Sequence, residues 1–349
     1  MHDARPARAF ERLRWLLMCL ALAAGSSACQ KFEADAPTGA AGEPARLAPQ
    51  ISVRGSGALK PLPPIPAQDA RKVTLGKKLF FEQRLSHDDT ISCASCHPPS
   101  KGGADGLPVA IGIGGQQGPI NTPTVLNAAL NFVQFWDGRA ATLEEQAAGP
   151  IHNPLEMGSN WNEVIAKLAA DADYPRLFAA AFPARGITAA TIAEAIAAYE
   201  RSLLTPSRFD AWLQGDDAAL SEQEQRGYRL FLDYGCASCH QGANVGGNLF
   251  QRFGVLGDYF AERGKPVTAA DLGRYNVTGR EEDRHVFKVP SLRNIALTAP
   301  YFHDASAATL QEAIRVMARY QLGRTLSDQD IEAIAAFLNS LTATALPSE

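Results

Sequence analysis

The pentapeptide Cys-Ala-Ser-Cys-His occurs twice in this chain, at 93–97 and again at 236–240. C-x-x-C-H is the attachment signature of c-type haem: two thiols add across the porphyrin vinyl groups, and the adjoining His becomes a proximal iron ligand. Of the six cysteines, Cys19 and Cys29 lie in or beside an N-terminal targeting segment, and the other four all sit in the two motifs. A zinc ribbon also pairs two C-x-x-C units, but about 15–20 residues apart; here they stand roughly 140 apart. A thioredoxin-like redox pair does not call for a His after both thiols. Cys93, Cys96, Cys236 and Cys239 therefore point to two covalently attached haems, with His97 and His240 on the irons.

A chain of 349 residues with 46% apolar content suggests two globular domains. Residues 1–28 read as a signal peptide: Arg5, Arg8, Arg12 and Arg14, then an apolar stretch from Trp15 to Ala24, then Ser26-Ser27-Ala28 as a cleavage site. The apolar stretch is about half the ~20 residues a membrane-spanning helix needs. Export suits the cofactor, because bacterial c-type haem is attached outside the cytoplasm, and a periplasmic location is expected. Cleavage leaves Cys29 first, open to a lipid anchor or to remaining free; Ser26 stands where lipoproteins usually carry Leu. Residues 29–66, rich in Ala, Gly and Pro, read as a flexible tether. Without residues 1–28 the formal charge is −6, from 29 Lys and Arg against 35 Asp and Glu. That argues against nucleic acid as a partner.

The repeat extends beyond the haem motifs. Gly76-Lys-Lys-Leu79-Phe80 precedes the first and Gly227-Tyr-Arg-Leu230-Phe231 the second. Downstream, Ala195-Ile-Ala-Ala-Tyr199 is echoed by Ala333-Ile-Ala-Ala-Phe337. Ile192, Ile196, Tyr199 and Leu203 share one helical face, as do Ile331, Ile334, Phe337 and Leu341. Ser327 with Asp330 forms an N-cap pair for the last helix. Each unit reads helix, haem motif, loops, helix, with the first Gly letting its helix cross the last one closely. The expected fold is mostly α: tandem cytochrome c-type domains at 67–205 and 206–349, joined at Thr205-Pro206-Ser207.

Further stretches resemble the bacterial di-haem cytochrome c peroxidase family. They are Asn121-Thr-Pro-Thr-Val-Leu-Asn127, Gln134-Phe-Trp136-Asp-Gly-Arg139, Gln146, Asn153-Pro-Leu-Glu156-Met157-Gly158, Phe287-Lys-Val-Pro-Ser-Leu-Arg-Asn294, Thr298-Ala-Pro-Tyr-Phe-His303 and Met317-Ala-Arg-Tyr-Gln-Leu-Gly323. The likeness covers essentially all of 70–345. It implies reduction of hydrogen peroxide to water with electrons from a small donor, a cytochrome c or a copper protein. The C-terminal haem would be the electron entry port and the N-terminal haem the peroxidatic centre.

Residue by residue, the resemblance gives Met317 as the distal ligand of the C-terminal haem, where a thioether raises the potential. Glu156 becomes the carboxylate that takes a proton from one peroxide oxygen and returns one to the other, and Gln146 a neighbouring amide. Trp136 matches an aromatic between the haems. Asn121, Thr298 and Pro300 match a calcium site, for which side-chain and backbone oxygens suit a hard cation. His303 becomes a neighbour of the second haem. A homodimer is left open.

One position departs from the pattern. Many members carry a His in the glycine-rich loop after the first motif, capping the peroxidatic iron until the other haem is reduced. Here the loop reads Ala110-Ile-Gly-Ile113-Gly-Gly-Gln116-Gln117-Gly118, and Ile113 cannot ligate iron. His87 and His152 do not align there. Seven glycines between 102 and 118 predict a mobile loop. An open iron also gives the chain a slight likeness to di-haem enzymes that oxidise tryptophans of a partner protein, although those have Tyr where Met317 stands. A plain di-haem electron carrier is the third reading.

Overall fold

The computed structural model describes residues 57–348, so the signal peptide at 1–28, Cys29 and the tether up to residue 56 lie outside the described residues. The described chain is mostly helical. In order it contains α1 (Ala70–Phe80), α2 (Cys93–Cys96), α3 (Leu143–His152), α4 (Trp161–Ala169), α5 (Tyr174–Ala181), α6 (Ala189–Arg201), α7 (Arg208–Leu213), α8 (Glu222–Asp233), α9 (Tyr259–Glu262), α10 (Tyr275–Thr278), α11 (Leu310–Leu322) and α12 (Asp328–Ser340). Several 3-10 turns intervene. β1 (Phe250–Arg252) and β2 (Val286–Lys288) pair antiparallel, with Gln251 opposite Phe287.

The helix ends follow their capping residues. Thr188 with Thr191 boxes the start of α6, Ser221 with Glu224 that of α8, and the Ser327 hydroxyl accepts from Asp330 N at 3.2 Å to open α12. The two repeats build the same crossing. A Cβ on Gly76 would sit 1.8 Å from Ala195 O, and one on Gly227 would sit 1.8 Å from Ala333 O. Only a residue without a side chain allows α1 to meet α6, and α8 to meet α12, at that distance. The predicted faces point inward: Ile192, Ile196, Tyr199 and Leu203 join one core with Phe80 and Phe178, while Ile331, Ile334, Phe337 and Leu341 join another with Phe209 and Tyr228. Aromatic rings knit the second core, Phe209, Tyr228 and Phe231 all lying within 5.4 Å of Phe337 by ring centroid.

The end of the predicted tether is part of this fold. Leu59 is buried in the second core, Gly242 N donates to Ala58 O at 2.7 Å, and Leu62 N donates to Asp210 at 2.7 Å. A single Leu in a Pro- and Gly-rich stretch has no periodicity to announce its burial, so composition alone assigned these residues to a tether.

Candidate active site

The first motif opens on Ser92, which boxes α2 with Ser95. The Cys93 and Cys96 thiols are pushed up to about 12 and about 11, in both cases chiefly by burial. Cys236 in the second motif is pushed up to about 11 by the same cause. Such thiols are the reverse of an acidified redox pair, and none of the four is disulfide-bonded. Nor do they converge as a zinc site does; among the described residues the one tight His/Cys/Asp/Glu cluster is Asp271, His303 and Asp304. Asp271 and Asp304 in that cluster are both ion-paired with Arg263.

His97 Nδ1 lies 3.2 Å from Gly103 O. Donating there fixes the tautomer and leaves Nε2 as the lone-pair nitrogen, the arrangement by which proteins orient a metal-binding imidazole. Burial pushes His97 down, which keeps it in the neutral form a ligand requires. Burial pushes His240 down to about 4. Its Nδ1 is buried and faces the carbonyls of Val245 and Pro290 without a hydrogen bond of normal geometry.

A cavity of about 370 Å³ opens beside His240. Cys236, Cys239 and His240 line one part of it, and Met317 on α11 contributes from another element. Phe231, Phe253, Phe287, Leu310 and Ile314 make the wall largely apolar, as a porphyrin face demands. Two thiols, an imidazole and a thioether at one apolar cavity fit a c-type haem with His and Met ligands.

Trp136 belongs to the first half of the chain yet lines this cavity of the second haem motif. Its indole N–H donates to Asn121 O at 2.9 Å and its ring stands 6.3 Å from that of His303. His303 is buried, stacks on Phe287 at 4.5 Å, and bonds Asp271 through Nε2 at 2.8 Å. Although burial favours protonation of Asp271, bonds from His303 and Arg263 hold its carboxyl far below the usual range. Asn121, Thr298 and Pro300 line the same cavity, so the structure brings the three together. Asn121 Nδ2 donates to Leu107 O at 2.8 Å, leaving its side-chain oxygen as the acceptor. No carboxylate lines the cavity beside them.

Glu156 follows α3 in the turn Asn153–Gly158. Asn153 Nδ2 donates to Glu156 Oε1 at 2.6 Å, and Ile113 N donates to Glu156 O at 2.8 Å. The loop that bonds the Glu156 turn also reaches the first haem motif: Cys96 Sγ lies 3.9 Å from Ile111 O, two residues before the Ile113 that bonds Glu156 O. Gln146 sits half-buried on α3, the helix that leads directly into that turn. Asn153 as the side chain that aims Glu156 was not singled out from the sequence, although it lies within the same motif.

Backbone bonds tie the base of the glycine-rich loop, while Gly114 and Gly115 at its tip stand exposed. Gly112 N bonds Gln116 O at 2.8 Å, Gly118 N bonds Ala110 O at 2.9 Å, and Gln116 Nε2 reaches Pro154 O at 3.1 Å. Ile113 is seated against Gly158, where an added Cβ would stand 2.4 Å from Ile113 Cδ1. The glycines serve close approach to the Glu156 turn: a Cβ on Gly112 would lie 2.1 Å from Leu155 O. The two other histidines of this half stand at the surface with partners of their own. His87 Nδ1 pairs with Glu163 at 3.0 Å, and His152 meets Trp161 edge-on at 5.6 Å.

Comparison with known proteins agrees with this geometry. Residues 70–218 match the family model described as di-haem cytochrome c peroxidase, and residues 224–342 match the cytochrome c model. The chain is 49% identical over 294 residues to the cytochrome c peroxidase Ccp of Escherichia coli strain K12, covering 82% of this chain and 62% of that protein. It is 48% identical over 286 residues to the cytochrome c551 peroxidase of Nitrosomonas europaea, covering 81% and 84%. Among solved structures, a MauG-like protein associated with microbial copper homeostasis superposes with a TM-score of 0.72 at 32% identity, over 82% of this chain and 93% of that one. The chain therefore belongs to the di-haem cytochrome c peroxidases, haem oxidoreductases that act on peroxide.

Proposed function

We propose that this protein reduces hydrogen peroxide to water in the periplasm, drawing electrons from a small cytochrome c or copper protein. Cys93 and Cys96 hold one haem with His97 as ligand; Cys236 and Cys239 hold the other, with His240 and Met317. When bound, the haems supply iron that accepts electrons singly and delivers them to peroxide. The remaining work falls to side chains. Glu156 takes the proton from the near peroxide oxygen and returns it to the departing one, so that water leaves. Asn153 keeps the carboxylate aimed, and Gln146 orients peroxide or water. Trp136, bonded through its indole to Asn121 O and lining the second cavity, carries charge between the halves. Asn121, Thr298 and Pro300 supply oxygens to a calcium ion at that junction.

What supports this reading is the Glu156 turn, bonded to the loop that reaches Cys96 of the first haem motif, with its carboxylate held by Asn153. Peroxide turnover with reduced cytochrome c tests it. Glu156→Gln keeps both haems, seen as two haem additions by mass spectrometry, and loses turnover by about 10²-fold or more. Undiminished turnover with both haems present overturns the role of Glu156, whereas a two-haem wild-type protein without peroxide turnover favours a plain electron carrier. Ile113 favours a second reading, peroxide-driven oxidation of a partner protein's tryptophan, because nothing on its side chain caps an iron. Met317 speaks against it, since a thioether ligand suits an electron-accepting haem.

A further inference from the structure

Lys288, in the Phe287–Asn294 motif, is a residue the proposed chemistry leaves unused. It is only 6% exposed, at the end of β2, and its backbone N–H donates to Trp136 O at 2.8 Å. Burial alone pushes its ammonium down to about 8, with no carboxylate or acceptor to offset it. Buried charges in folded proteins are paired or bound to a metal, because removing an unpaired ammonium from water is costly. No side-chain hydrogen bond or ion pair forms to Lys288 among the described residues. Its partner therefore lies elsewhere.

The wall of the cavity beside His240 identifies that partner. Lys288 lines it, and no Asp, Glu or Arg does. Any haem held there by Cys236 and Cys239 brings two propionate carboxylates into a lining whose other side chains are apolar, aromatic, amide, hydroxyl, thiol or imidazole. Two anions and one unpaired side-chain cation then share one largely apolar enclosure, beside the residues proposed for calcium. We infer that Lys288 is the propionate clamp of the C-terminal haem, pairing its ammonium with a propionate carboxylate on the side of the cavity where Trp136 lies. The inference rests on the reading that this cavity holds the haem of His240.

A paired ammonium offsets negative charge beside the iron, and so favours the reduced haem. It acts through the propionate, as a positioning residue. The test uses the exported holoprotein with Lys288→Met and Lys288→Arg. A wild-type mass carrying fewer than two haems overturns the underlying reading before any variant is made. With two haems present, Lys288→Met shifts the propionate bending band in resonance Raman spectra and moves the potential of the C-terminal haem to a more negative value. Lys288→Arg retains both wild-type properties. An unchanged band and potential in a two-haem Lys288→Met protein overturns the clamp alone. If Met is not tolerated, Lys288→Gln makes the same comparison: a lowered potential supports the clamp and an unchanged one defeats it.

Discussion

At position 113 a branched hydrocarbon replaces a potential ligand. Its side chain is seated on Gly158, and its backbone is bonded to Glu156 O at 2.8 Å. His87 pairs with Glu163 and His152 meets Trp161. The fully oxidised protein is therefore expected to show a high-spin ferric signal by electron paramagnetic resonance, and to react with peroxide without prior reduction. Two low-spin signals and no reaction until one electron is added would defeat that expectation. Met317 gives a second expectation. Its thioether lines the cavity of His240, so Met317→His lowers the potential of that haem and abolishes any methionine-to-iron charge-transfer band; an intact band would make Met317 a packing residue. Glu200 gives a third. Its Oε2 is buried without a hydrogen-bond partner, and burial raises its pKa from 4.5 to about 8. The fold then keeps the proton that the unfolded chain releases, so stability falls as pH climbs from about 4.5 to about 8 and levels off above. Calorimetry across that range should show a flatter profile for Glu200→Gln; an identical profile would show that Glu200 does not carry the slope.

At the scale of elements, the repeat was legible because it is local. Gly-x-x-Leu-Phe and Ala-Ile-Ala-Ala are spacings within single helices, and the crossing they imply appears in both halves, where a Cβ added to the Gly would stand 1.8 Å from the facing carbonyl oxygen. The crossing outweighs propensity. Ala is favoured over Gly within a helix by about 1 kcal/mol, yet Gly227→Ala drives a methyl into Ala333 O. Overpacking typically costs 1–3 kcal/mol, and the collision here is with backbone, which cannot rotate away. Gly227→Ala should lower the melting temperature, and an unchanged or raised one would show that α8 slides to accommodate it. The contacts of the glycine-rich loop were not legible for the opposite reason. Glycine count registers conformational freedom, whereas the contacts that remove it come from 153–158, some forty residues downstream.

The whole molecule depends on contacts that no window of sequence displays. Arg293 is 1% exposed and grips Asp210 with both terminal nitrogens at 2.8 Å, across 83 residues. Asp210 also accepts from Ser207 N and Leu62 N, so one carboxylate gathers three segments. Arg293 was read only as part of a motif, because burial of a charge is settled by its distant partner. Arg293→Met strands that carboxylate in the interior and should cost about 3 kcal/mol of stability. Replacing Asp210 with Leu in the same chain should recover part of it, which denaturant unfolding of the single and double variants would measure.

Both ends of the described chain cross over. Ala58–Leu62 lies against the second core, while Leu346 packs on the first and Lys77 Nζ holds Ser348 O at 3.0 Å. Each half thus wears a strap that the other half's end of the sequence supplies. The consequence is a mutual lock: severing the backbone at 205–207 would leave two fragments still buckled together, and neither half excised as a tidy length of sequence would carry its own clasp.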